Sequence, residues 1–207
     1  MRTALLTPAG IAERAVLDER SDDLARSFLD PLTAPQRDRL VAAMREVERL
    51  LTAAMVEITP VDPTHPDARL CLRSYFAELD RRAETPFDPA RGVSAEPHEL
   101  RPPAGLLLVA YLRDEPIGCG AVKHHDCASA DIKRMWVSPS ARGLGLGRRL
   151  LSELEACAAR NGATAVRLET NRALTEAIAL YRSAGYREVP RFNDEPFAHH
   201  WFEKALG

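Results

Sequence analysis

The sequence predicts a mixed α/β layer, mostly antiparallel, with flanking helices and an N-terminal helical appendage. Three features predict it. Two amphipathic helical patterns precede any strand, a charged turn joins two apolar runs as a hairpin, and a glycine-rich turn lies between a further strand and an apolar helix. The chain has 207 residues, the length of one domain with an appendage. Its 28 Lys+Arg against 30 Asp+Glu give a formal charge of -2, which leaves no concentrated basic face, so no nucleic-acid partner is expected. The longest nearly unbroken apolar stretch, 104–112, is far below the roughly 20 residues that span a bilayer, so no membrane partner is expected either. Before Pro8 the chain carries one basic residue and no long apolar run, so export is not expected. Cys71, Cys119, Cys127 and Cys157 contain no close pair of the zinc or redox kind and read as thiols of a cytoplasmic protein.

Each element has its own signal. Thr7-Pro8 caps and opens a helix towards Phe28, with Ile11, Ala15, Leu24, Phe28 and Leu29 as an imperfect apolar stripe, and Asp30-Pro31 ends it. Thr33 and Gln36 form a capping box for a second helix, whose Leu40, Met44, Val47 and Leu51 recur at spacings of four, three and four. Two helices cannot close much of a core alone, so their apolar faces need another surface: the rest of the chain or a second subunit. The pattern changes at Val56, and the expected boundary divides a helical appendage, 1–55, from a domain at 56–207.

That domain opens with an extended stretch at 56–60, a helix over 67–82 and a polar, proline-bearing loop over 85–103. Strands follow at 106–112, 117–123 and 131–137, the first two joined by Arg113-Asp114-Glu115-Pro116. A helix over 145–161, a strand over 165–170 and a helix over 173–183 come next, with Gly185 as the C-terminal cap. Short strands at 186–189 and 197–203 close the pattern.

The informative segment runs from Val137-Ser138-Pro139 through Arg142-Gly143-Leu144-Gly145-Leu146-Gly147 to Arg148-Arg149. Glycines permit a tight turn and close ligand approach, and successive amides at a helix N-terminus form a pyrophosphate-sized anion site. Arg142, Arg148 and Arg149 add positive charge there. A P-loop is excluded because no Lys-Ser/Thr follows the last glycine. A dinucleotide fold is excluded because the glycines come late, after antiparallel strands.

Arg142-x-x-Gly145-x-Gly147, preceded by Met135-Trp136-Val137, resembles the acetyl-coenzyme A signature of the GCN5-related N-acetyltransferases (GNAT). Arg167-Leu168-Glu169-Thr170-Asn171, the helix 176–181 and Ser183-Ala184-Gly185-Tyr186 follow in that family's order, so the resemblance covers about 57–207. It implies a strand at Met135, Trp136 and Val137 that splays from 166–170 and offers main chain to the pantetheine arm of acetyl-CoA. It implies a pyrophosphate held by Gly143, Leu144, Gly145, Leu146 and Gly147, with Arg142 and Arg148 beside them. Asn171 falls at a cofactor contact, and Tyr181 at a hydroxyl near the thioester sulfur.

The reaction this implies is direct transfer of an acetyl group to a small amine, an amino acid or related metabolite. Direct attack needs a route for a proton to the leaving thiolate, for which Tyr181 is the candidate acid, and a base, for which Glu169 is the candidate. Asp131 is the more distant alternative. Tyr75, Phe76, Glu78, Glu169 and Asn193 are the candidate acceptor contacts. The paired histidines 124–125 and 199–200 each offer one side a single ligand, so no metal is expected. An acyl-CoA sensor with little turnover, or a purely structural dimerisation protein, are the alternatives. Residues 1–55 resemble the dimerisation end of a MarR-like winged-helix regulator, with a wing-strand tail at Thr3 to Leu6 and without a DNA-reading helix, which would lie upstream. A homodimer is the expected assembly.

Overall fold

The computed structural model describes residues 5–83, 95–125 and 128–207, and Thr3, Cys127 and most of the 85–103 loop lie outside them. The chain forms two compact units, Met1–Leu51 and Thr52–Gly207. In the first, helix α1 (Pro8–Leu29) begins at Pro8, with the Thr7 hydroxyl accepting from the Gly10 amide at 3.1 Å. At the start of helix α2 (Ala34–Ala54), Gln36 Oε1 accepts both from the Thr33 amide and from the Thr33 hydroxyl, each at 2.9 Å. The expected box is therefore half made: the glutamine reaches back, but the threonine hydroxyl donates to it instead of capping the helix. Arg37 Nε donates to the carbonyls of Leu29 and Leu32, which satisfies the end of α1. Neither helix buries a residue.

The second unit is built on a seven-stranded sheet of β1 (Glu57–Pro60), β2 (Gly105–Leu112), β3 (Glu115–His124), β4 (Ser129–Val137), β5 (Ala165–Thr170), β6 (Arg187–Glu188) and β7 (His200–Ala205). Its order is β1-β2-β3-β4-β5-β7-β6, antiparallel except where β4 meets β5. The hairpin turn is tighter than the sequence suggests. Leu112 pairs with Glu115, and Arg113 and Asp114 alone make the turn, with φ of 52° and 65°. The expected strand at 197–203 is displaced to His200–Ala205, and a 3-10 turn, Pro97–Leu100, stands inside the expected loop.

Alternation along β2 divides the core between the two faces of the sheet. Leu108 and Ala110 join the cluster under helix α4 (Leu146–Arg160), with Leu150, Leu151, Leu154, Val166 and Phe202. Leu107 and Val109 join Ala68 and Cys71 of helix α3 (Pro66–Arg82) on the other. Helix α5 (Thr175–Ser183) closes on Gly185 at φ 91°, with Tyr186 N donating to Tyr181 O and Gly185 N to Arg182 O. That motif fixes Tyr181, whose ring packs 5.9 Å from Tyr186 and 6.0 Å from Phe202.

Candidate active site

The site begins where β4 and β5 part. Their parallel pairing covers only Ser129–Asp131 against Ala165–Arg167, so a gap opens beyond Asp131 and Arg167. On its other edge β4 carries one extra residue: Cys119 faces Trp136 while Ala121 faces Lys133, and Arg134 adopts φ 57°. Cys119 Sγ donates to the Arg134 carbonyl at 3.2 Å, anchoring the bulge.

Glycine geometry forms the cradle. Gly143 and Gly145 sit at φ 81° and 73°, in the left-handed region that favours glycine, and Gly145 is the N-cap of α4. The first helical bond there is from Arg149 N to Gly145 O, so the amides of Leu146, Gly147 and Arg148 are the open donors of the helix N-terminus. At Gly147 a Cβ would stand 3.3 Å from Leu180, so the turn packs closely on α5. Arg142 Nη2 donates to both oxygens of Glu78 at 2.6 Å, and Arg148 Nη2 donates to Ser183 Oγ at 2.6 Å. Arg149 is a correction to the expected charge at this end of the helix: it donates to the carbonyls of Ala53 and Val56 and is absent from the cleft lining.

Two cavities meet here. The larger, about 470 Å³, is lined by the cradle, by Trp136 and Val137 of β4 and by Leu180 of α5. The smaller, about 100 Å³, lies in the gap and is lined by Lys133, Arg134, Glu169, Asn171 and Glu195. Tyr75, Leu79, Met135, Leu174, Ala177 and Tyr181 line both. Lys133 Nζ donates to Glu169 Oε1 at 2.5 Å, and Asn193 Nδ2 donates to Glu169 Oε2 at 3.2 Å. Trp201 Nε1 in turn donates to Asn193 Oδ1 at 2.8 Å. Glu169 is therefore held by partners on both oxygens, with 9% of its side chain exposed. The hydroxyl of Tyr181 makes no hydrogen bond among the described residues, and burial pushes its pKa well above the usual phenol value, with Tyr75 and Glu169 adding to the rise. Burial likewise pushes Tyr75 up to about 12, although the Arg134 guanidinium opposes it.

Most of the sequence-derived cofactor set converges on the large cleft: Met135, Trp136, Val137, Arg142, Gly143, Gly145, Leu146, Gly147, Arg148 and Tyr181. Two members differ. Leu144 packs against the core cluster, and Asn171 lines the smaller cavity, where its amide donates to Phe197 O and accepts from Ala173 N. Of the acceptor candidates, Tyr75 and Glu169 line the small cavity and Asn193 supports Glu169 from behind. Glu78 is a correction, because Arg142, Arg82 and Trp136 draw its carboxylate into the cofactor cleft. Phe76 is another: it lines neither cavity, and the Arg134 guanidinium lies 4.7 Å from its ring centre. Asp131 is engaged by His125 at 3.1 Å and lines neither cavity.

Lys133 and Arg134 line the small cavity and were not among the residues the sequence singled out, and Lys133 was the one with a readable signal. Its signal was alternation: 131 and 133 share a face of β4, as 167 and 169 share a face of β5, so the pair beyond the last backbone contact falls across the gap. The cradle's open amides, the apolar cleft and the Arg142 guanidinium suit the pyrophosphate and pantetheine of acetyl-CoA. Among the described residues no group of three His, Cys, Asp or Glu could hold a metal ion.

The acetyltransferase (GNAT) domain matches residues 103–188. An IAA acetyltransferase of Azospirillum brasilense is 35% identical over 112 residues, 54% of this chain and 73% of that protein. An uncharacterised N-acetyltransferase of Schizosaccharomyces pombe is 35% identical over 138 residues, 64% of this chain and 79% of that protein. Among solved structures, a GNAT family acetyltransferase of Elizabethkingia anophelis with acetyl-CoA bound shares the fold at a TM-score of 0.53 and 19% identity, covering 73% of this chain and 99% of that one. The chain belongs to the GNAT family of N-acetyltransferases, which use acetyl-CoA.

Proposed function

We propose that this protein acetylates the nitrogen of a small amine that also carries an anionic group, of the size of an amino acid or a related metabolite. The observation that carries the reading is the small cavity, about 100 Å³, which meets the cofactor cleft at Tyr75 and Tyr181 and is lined by Lys133 and Arg134 as well as Glu169 and Glu195. Cations and carboxylates in so small a space suit an acceptor bearing both signs. Acetyl-CoA supplies the acetyl thioester.

Met135, Trp136 and Val137 offer main chain to the pantetheine arm, and Gly145, Leu146 and Gly147, with Arg142 and Arg148, hold the pyrophosphate. Glu169 takes the proton that the amine must shed, with Lys133 and Asn193 fixing its carboxylate. Tyr181 stays protonated through the neutral range, so its hydroxyl is a donor towards charge developing on the leaving sulfur. The test is release of thiol from acetyl-CoA over a panel of amines. Small amino carboxylates are expected to accelerate it, while amines without an anionic group and basic peptides are not. Binding of acetyl-CoA with no acceleration by any amine would favour a sensor of acyl-CoA.

The N-terminal helices are proposed to pair with a second copy of the chain. Leu40, Met44, Val47 and Leu51 are 38 to 62% exposed and recur at the four-three-four spacing of a coiled-coil seam. The likeness of 1–55 to a dimerisation region points the same way. The three described cysteines are free and buried, which suits the cytoplasm.

A further inference from the structure

The cofactor cleft holds an acid that no step of acetyl transfer requires. Glu78, on α3, is 8% exposed, and Arg142 Nη2 donates to both its oxygens at 2.6 Å. Trp136 Nε1 donates to the same carboxylate at 3.1 Å and Arg82 Nη1 at 3.2 Å. Arg82 Nη2 continues to Glu176 Oε2 at 2.6 Å and to the Ala173 carbonyl at 2.9 Å. The alternating line Arg142, Glu78, Arg82, Glu176 joins the glycine turn to α3 and α3 to the first turn of α5, and all four side chains line the cleft.

A carboxylate and a phosphate compete for the same guanidinium donors. The geometry points to Glu78 as a built-in stand-in for phosphate, one that occupies Arg142 in the ligand-free protein and must yield it when a pyrophosphate-bearing ligand enters. Glu78 thereby lowers the affinity for acetyl-CoA. The inference rests on acetyl-CoA as the ligand and is independent of which amine is acetylated.

Two features make the exchange feasible. The Arg142 side chain is 45% exposed, so it has room to turn. Glu78 keeps Arg82 and Trp136 as donors once Arg142 leaves, so no buried carboxylate is stranded.

The test is calorimetric titration of the full chain with acetyl-CoA and with S-acetylpantetheine, which has the thioester arm and lacks the pyrophosphate. Glu78→Gln keeps the volume and an oxygen for Trp136. It is expected to tighten acetyl-CoA about fivefold, to leave S-acetylpantetheine within about twofold, and to give no tightening when combined with Arg142→Gln. Glu78→Asp, which withdraws the charge by one methylene, has the same sign and serves if the glutamine form does not fold. Unchanged or weaker acetyl-CoA binding would mean that Glu78 only positions Arg142, and would overturn the inference. So would tightening that extends equally to S-acetylpantetheine or that survives the loss of the Arg142 guanidinium. Failure of the unaltered chain to bind acetyl-CoA at all would instead strike the assignment of the cleft.

Discussion

Tyr181 and Glu169 face the same junction and are expected to fail differently. Tyr181→Phe removes a donor and keeps the ring that packs on Tyr186 and Phe202, so turnover falls about 10²-fold while acetyl-CoA affinity stays within about twofold. Steady-state rates with calorimetry on the same preparation separate the two quantities. Glu169→Gln is expected to lower turnover about 10²-fold with acetyl-CoA affinity little changed, and unchanged turnover would remove Glu169 as the base. At Glu78, burial alone would raise the carboxyl pKa, but Arg142, Arg82 and Trp136 outweigh it and hold the group below its ordinary 4.5. A lowered carboxylate contributes stability that is present above the ordinary value and is lost as pH falls through the lowered one. As pH falls below the ordinary 4.5, melting curves should therefore show a steeper loss for the unaltered protein than for Glu78→Gln.

The cradle depends on how α4 starts. Gly145 caps the helix at φ 73°, so Gly145→Ala forces a side chain into the left-handed region at a cost of about 1 kcal/mol and is expected to weaken acetyl-CoA binding. Gly105, at the start of β2, is a contrasting case: an added Cβ would lie 2.2 Å from the Glu99 carbonyl oxygen, and 2.4 Å from that of Val122. Both are backbone atoms that cannot swing aside, so Gly105→Ala is expected to lower stability by about 3 kcal/mol, measured by denaturant unfolding. The turn at Gly145 was legible in the sequence because glycine spacing, a preceding proline and a following apolar run all report local geometry. The closeness at Gly105 was not, because it depends on how the Pro97–Leu100 turn and the facing strand β3 close on the start of β2, which periodicity does not encode.

Across the whole chain, what was legible follows the same division. Hairpin and helix order could be read because periodicity and turn chemistry are local, the splay of the strands was implied only by the family resemblance, and Met135 to Gly147 fell together because one strand, one turn and one helix carry them. The acceptor side draws on α3, β4, β5 and the segment before β7, so the placement of Lys133 and the redirection of Glu78 to Arg142 emerged only from the fold. Assembly belongs here too: removing residues 1–54 is expected to take the particle from two chains to one in light scattering, and equal chain stoichiometry before and after would refute pairing through α1 and α2. The account as a whole turns on the meeting of the two cavities, and a crystal structure with acetyl-CoA bound tests that most directly. The thioester sulfur is expected within about 3.5 Å of the Tyr181 hydroxyl, with the acetyl group facing Glu169 across the small cavity. An acetyl group directed away from that cavity, or a pyrophosphate lying elsewhere than against the amides of Leu146 and Gly147, would contradict it.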